Sequence, residues 1–146
     1  MKPTDAPIIV EQSFQLPVRD VWNAITRKEH MRKWFFEQIE SFEPVEGFQT
    51  QFDVQHGDTH YLHLWAITEV IDQQRIVYDW RYKDMPGVGC VTWELASTGE
   101  QTTLTLTNTV VEAFDDSDPA FRRESAIEGW RFLINERLRM YLTSED

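Results

Sequence analysis

The side chains able to bind a metal, move a proton or orient a ligand fall into a few separate groups along the chain. The stretch "HGDTHYLH" carries His56, His60 and His63. Successive strand residues point to opposite faces, so His60 and His63 diverge and the three imidazoles do not converge on one metal. Polar residues flanking an exposed turn are the expectation there. Glu37, Glu40, Glu43 and Glu46 recur at every third position of "EQIESFEPVEG", a spacing with no common face in a strand and hence no acid–base carboxylate pair. The run "FDDSD" lacks the ligand pattern of a calcium loop and reads as a loop and a helix cap. The single cysteine, Cys90, has no internal disulfide partner and no His or acidic neighbour at a recognisable spacing, so it reads as a structural thiol. No phosphate loop, Ser-His-Asp order or paired-cysteine motif is present. These residues assign no catalytic group, no metal and no cofactor.

More informative are polar groups whose strand neighbours face inward. If Phe14 and Leu16 point to the core, so does Gln12; if Leu104 and Leu106 do, so does Asn108. Tyr78, Trp80 and Tyr82 share a face that is inward when Asp79 and Arg81 are outward. A buried polar tip needs a partner, so these groups either hydrogen-bond one another or orient a ligand among apolar contacts. The aromatic residues pose the same choice, since Trp34, Phe35, Phe48, Phe52, Trp80, Trp93 and Trp130 either fill a close-packed core or wall a site for a flat molecule. The candidate ligand-binding set is Trp34, Phe35, Phe52, Tyr78, Trp80, Tyr82, Trp93, Asn108, Trp130 and Ile134.

The elements that must position these residues follow from hydrophobic period. "IIVEQSFQL" alternates as a strand and stops at Pro17. In "PVRDVWNAIT", Val18, Val21, Trp22 and Ile25 form the stripe of a short helix, with Pro17 in its first turn, and a second short helix is expected from His30 to about Phe36. From Ile39 to Val111 the period is two. Candidate strands are "IESFEP", "FQTQFDVQ", "HYLHLWAITEVI", "RIVYDWRY", "GCVTWELA" and "QTTLTLTNTVV", joined by turn-forming groups short enough for antiparallel hairpins. Val91, Trp93, Leu95, Leu104 and Leu106 share one face of this meander; Thr92, Glu94, Thr103, Thr105 and Thr107 share the other. Asp118 and Pro119 then cap a long helix to Leu142 whose stripe is Phe121, Ile127, Trp130, Ile134, Leu138 and Tyr141. Gly129 sits inside this helix at a cost of about 1 kcal/mol relative to Ala. It is offset from Trp130 by about 100°, so it is expected to ease packing or a bend rather than to line the wall Trp130 makes.

At 146 residues with 41% hydrophobic content, the chain fits one domain, residues 1–146, that needs no metal or disulfide to fold. A net charge of −11 opposes nucleic acid and anionic membrane surfaces as partners. No run approaches the roughly 18 apolar residues of a membrane span, and "MKPTDAP" has no signal-peptide core. A cytoplasmic location is the expectation.

The order strand, two short helices, meander, long helix resembles the helix-grip fold of the START-like (SRPBCC, Bet v 1-like) superfamily, and within it the activator of Hsp90 ATPase homologue 1-like family. The likeness is carried by "LPVRDVWNAIT" with "MRKWF", by "ITEVIDQQRIVYDW", by "VTWELASTGEQTTLTLTNT" and by "GWRFLINERLRMYL", spanning about Ile8 to Leu142. It implies an α+β fold in which a curved antiparallel sheet of about seven strands wraps the C-terminal helix, leaving a hydrophobic cavity closed at one end by the short helices. Superfamily members bind lipids, hormones and polyketides, and some are cyclases or dehydratases. The full activator has a preceding domain that contacts the chaperone, which this chain, opening almost directly on its first strand, is expected to lack. The leading expectation is binding of a small, mostly apolar ligand, with no catalysis assigned, in a cavity of at least roughly 300 Å³ reaching Trp130 and at least one of Tyr78, Trp80 or Asn108. One alternative is a stress- or chaperone-associated interaction module or homodimer. Another is cyclisation or dehydration of a hydrophobic substrate, with Tyr78, Tyr82 or Asn108 placing protons or water.

Overall fold

The computed structural model describes residues 1–143. Strand β1 (Ile8–Phe14) leads into helices α1 (Val18–Thr26) and α2 (Lys28–Trp34). Five strands follow, β2 (Gln49–His56), β3 (Thr59–Ile71), β4 (Arg75–Tyr82), β5 (Val88–Thr98) and β6 (Gln101–Glu112). All pair antiparallel in one sheet of order β1-β6-β5-β4-β3-β2. The hairpin order follows from the short turns; β1 crosses over to pair with β6, at the far end of the meander from β2.

The sheet has six strands and not about seven, because "IESFEP" does not join it. Ile39 and Phe42 are buried, yet the segment is held by side chains: the Thr50 hydroxyl donates to the Ser41 carbonyl oxygen at 2.8 Å and meets the Ser41 hydroxyl at 3.0 Å. Pro44 has no N–H to offer a ladder. Alternation alone could not detect this, since a packed extended segment buries every other residue whether or not its backbone pairs.

On the meander the alternation holds. Val91, Trp93, Leu95, Leu104 and Leu106 are buried, while Thr92, Thr103, Thr105 and Thr107 are half-buried and Glu94 is exposed. The register shifts between Ile67 and Glu69 in β3 and between Val88 and Gly89 in β5. Extra residues of this kind bend a strand and increase its twist, which curves the sheet around what lies on its inner face.

That face is covered by the C-terminal helix and by α1 and α2, α1 packing on β5 and β6 and α2 reaching β5 through Trp34 against Trp93. Asp118 does cap a turn, its carboxylate accepting from the Ala120 N–H at 2.9 Å, but the turn is a single 3₁₀ turn, Pro119–Phe121. Arg122 is extended, and the helix proper starts at Arg123. It runs as α3 (Arg123–Arg131), a π-helical stretch Phe132–Leu138, and α4 (Arg139–Thr143). The sequence supplies a reason for the wide turns. Trp130, Ile134 and Leu138 recur every fourth residue, and an α-helix would rotate each by about 40° from the last. With i→i+5 bonding the turn takes in more residues, so all three stay buried against the sheet. The Arg139 Nε–H donates to the Asn135 carbonyl oxygen at 2.9 Å, satisfying an acceptor within this irregular stretch.

The core between the layers is dominated by aromatic rings. Phe35, just past α2, stacks on Trp34 at 4.8 Å and on Trp65 at 5.5 Å, and meets Trp93 at 5.7 Å and Trp130 at 6.2 Å. These separations lie within the range of favourable ring pairs. No helix of the described residues is long and apolar enough to cross a membrane.

Candidate functional site

Beside this core, a cavity of about 190 Å³ opens between the sheet and the C-terminal helix. Its helix wall is Ala126, Gly129, Trp130 and Leu133, positions i, i+3, i+4 and i+7 of one helical face. Gly129 therefore lines the same wall as Trp130, against the expectation from sequence. Trp130 stands at the border of two adjoining faces, one aimed at the core through Ile134 and Leu138, the other at the cavity. A Cβ on Gly129 would meet nothing within 4 Å, as it should beside open space.

The sheet wall is His63, Trp80, Tyr82, Gly89 and Asn108, from β3, β4, β5 and β6. Phe36 closes the end next to α2, and Phe114 and Phe121 close the other. Phe121 reaches this position because the 3₁₀ turn swings it inward, where it is buried 5.1 Å from the Tyr82 ring. Phe114 is seated by Gly87, whose φ is +113° and whose Cβ, if present, would fall 2.2 Å from Phe114 Cδ1. These rings make the space smaller than the 300 Å³ expected.

Of the ten candidate residues, Trp80, Tyr82, Asn108 and Trp130 line the cavity. Trp34, Phe35, Phe52, Tyr78, Trp93 and Ile134 lie outside its lining, in the packed core. Their polar tips are satisfied internally: Trp34 Nε1–H donates to the Ala24 carbonyl oxygen at 2.8 Å, and Trp93 Nε1–H to the Tyr78 hydroxyl at 3.0 Å. Burial raises the Tyr78 hydroxyl far above its ordinary value, with the Trp93 N–H acting the other way. A phenol so sealed has no access to a substrate. Gln12, also on an inward face, accepts from Asn135 Nδ2–H at 2.9 Å and lies outside the cavity. The choice between internal network and ligand site thus divides by position along the sheet.

His63 is the residue whose role the sequence reading missed. It is 5% exposed and not at a wet turn. It stacks on Phe52 at 4.7 Å and meets the Tyr82 ring edge-to-face at 4.7 Å. The signal was present, since His63, Trp65 and Ile67 alternate on one face of β3. Its Nδ1 lies 2.9 Å from the Tyr61 carbonyl oxygen, which can only accept, so Nδ1 carries the proton and Nε2 is left as an acceptor. Burial lowers its pKa to about 4, against weaker opposing effects from the Tyr61 carbonyl and the Asp53 carboxylate. The ring is neutral at pH 7. His60 is separate, paired with Asp53 at 2.6 Å on the surface.

Tyr82 and Asn108 complete the polar furnishing. The Tyr82 hydroxyl accepts from Trp80 Nε1–H at 2.8 Å, leaving its own proton to be donated. Burial pushes its pKa up to about 12, with the Trp80 N–H pulling the other way. The Asn108 side-chain amide lines the cavity and has no hydrogen-bond partner among the described residues; its Nδ2 would lie 3.6 Å from a Cβ placed on Gly89. Cys90 is half-buried, with its thiol pushed up mainly by burial, and it is not among the cavity residues. Larger surface depressions, about 580 Å³ beside α1 and about 600 Å³ along β2, are lined largely by polar and charged groups such as Arg19, Glu43, Gln51 and Arg81. Neither includes a residue of the C-terminal helix.

The family model described as "Activator of Hsp90 ATPase homolog 1-like protein" matches residues 15–143. No curated protein matches the chain. Among solved structures, protein CV1439 of Chromobacterium violaceum is similar with a TM-score of 0.78 and 17% identity, covering 95% of this chain and 98% of that one. CalU16 of Micromonospora echinospora has a TM-score of 0.68 and 24% identity, covering 94% of this chain and 76% of its own. An HSP90 activator of Plasmodium falciparum has a TM-score of 0.68 and 17% identity, with 93% of each chain covered. At these identities the likeness is one of fold.

Proposed function

The chain belongs to the activator of Hsp90 ATPase homolog 1-like family, and we propose that it binds a small, mostly apolar molecule in the cavity between its sheet and C-terminal helix. The observation that carries this reading is a cavity walled by Trp80 and Trp130 and furnished with a few polar groups, those of His63, Tyr82 and Asn108, the last with no hydrogen-bond partner among the described residues. Ligand sites combine apolar walls with a few such groups. Catalysis has weaker support, because Tyr78 is sealed in the core and Tyr82, held near pKa 12, is a poor base at neutral pH.

Native mass spectrometry of the freshly purified protein tests the proposal. A retained small-molecule adduct is expected on the wild type and is expected to be lost in Gly129→Leu, whose side chain would occupy the space; an adduct unchanged by that substitution would place any ligand elsewhere. A second reading, a chaperone-associated interaction module, is supported by the family description and by the Plasmodium falciparum neighbour. Bare protein in the spectrum together with stimulation of Hsp90 ATP hydrolysis would favour it.

A further inference from the structure

We infer that the occupant of this cavity is an uncharged phenol of about one ring, whose hydroxyl is read by His63 and Tyr82 and whose ring lies against Trp80 and Trp130; this rests on the ligand-binding reading above. The size argument comes first. A closed apolar cavity of about 150 Å³ accepts benzene, and about 190 Å³ leaves room for one substituted ring but not for a fused polycycle held wholly inside. The walls suit a flat ring, since Trp80 and Trp130 meet edge-to-face at 5.5 Å and both border the open space.

The polar groups then select among single rings. Nδ1 of His63 is committed to the Tyr61 carbonyl oxygen, so Nε2 can only accept. The Tyr82 hydroxyl already accepts from Trp80 Nε1–H, so its proton can be donated. One acceptor and one donor match a hydroxyl group, which gives and takes one hydrogen bond. Neither a hydrocarbon nor an ether satisfies both. Charge excludes the other common ring substituent: the lining side chains include no Lys, Arg, Asp or Glu, and His63 is neutral at pH 7. The ammonium of Met1, a residue that also lines the cavity, is turned to the Phe121 carbonyl oxygen at 3.3 Å and paired with the Asp116 carboxylate. A carboxylate would have to lose its water with no cation to replace it.

Isothermal titration at pH 7 with 4-ethylphenol, 4-ethyltoluene and 4-ethylbenzoate, on the full chain and on Tyr82→Phe, tests the inference. Wild-type protein is expected to bind 4-ethylphenol roughly tenfold more tightly than 4-ethyltoluene, the worth of a typical buried hydrogen bond, and to show no heat with 4-ethylbenzoate. Tyr82→Phe, folded by circular dichroism, is expected to lose most of the preference while still binding 4-ethyltoluene. Equal affinity for the two neutral rings, or preference for the benzoate, would overturn the phenol assignment and leave the cavity reading standing. Failure of all three to bind, with no adduct in the native spectrum, would overturn both.

Discussion

At the scale of single residues, two glycines next to the cavity have opposite requirements. Gly129 is helical with open space where its Cβ would project, so Gly129→Ala is expected to stabilise the protein by about 0.5–1 kcal/mol through helix propensity alone. Gly87 combines a φ of +113° with Phe114 at 2.2 Å from a would-be Cβ, so Gly87→Ala is expected to destabilise by about 2 kcal/mol or more. Urea denaturation of the two variants checks both signs. His63 gives a pH dependence. Its folded pKa of about 4 lies below the ordinary histidine value of 6.5, so between these values the unfolded state binds the extra proton. Stability contributed by this group is therefore complete above about pH 6.5 and falls as pH drops toward 4, by about 3 kcal/mol in all. Denaturation midpoints from pH 7 to 4 are expected to show that loss, and a folded His63→Leu variant to show a shallower slope. A wild-type slope no steeper than the variant's would mean that His63 is not buried neutral.

At the scale of elements, the π-helical stretch is the part that joins the helix to the sheet edge. Asn135, within it, donates through Nδ2 to the Glu11 carbonyl oxygen and to Gln12 Oε1, each at 2.9 Å. These bonds tie the stretch to β1, whose other side pairs with β6. Asn135→Ala is expected to cost about 1–2 kcal/mol and to increase amide exchange of β1 and Phe132–Leu138 ahead of the meander. Equal exchange throughout would show that the contact does not hold this edge. The helix stripe was legible from Trp130, Ile134 and Leu138, but their four-residue interval is compatible with a drifting α-helix as well as with wide turns. What decides is the sheet, which must be met by all three side chains at once.

For the whole molecule, the consequence of an occupied cavity is stability linked to ligand concentration. A molecule bound only by the folded chain and present at a hundredfold its Kd adds about 2.7 kcal/mol, so 4-ethylphenol is expected to raise the melting temperature of wild type by roughly 5–10 °C and to leave Gly129→Leu unmoved. An equal rise in both proteins would place the binding outside the cavity. Apart from the extra strand and the unbroken C-terminal helix, the order of elements and the inward face of nearly every strand can be read from the residues, because period, prolines and turn residues act locally; the helix-grip architecture follows from the family resemblance that these signals carry together. The sequence also brought Trp80, Tyr82, Asn108 and Trp130 forward as candidates. It takes the packed layers to show that these four meet around open space while Trp34, Phe35, Phe52, Tyr78, Trp93 and Ile134 fill the core, and that His63 and Gly129 join the cavity. Strand alternation tells which face a side chain takes, but not whether the opposite layer, at that point along the sheet, presents a ring or a glycine.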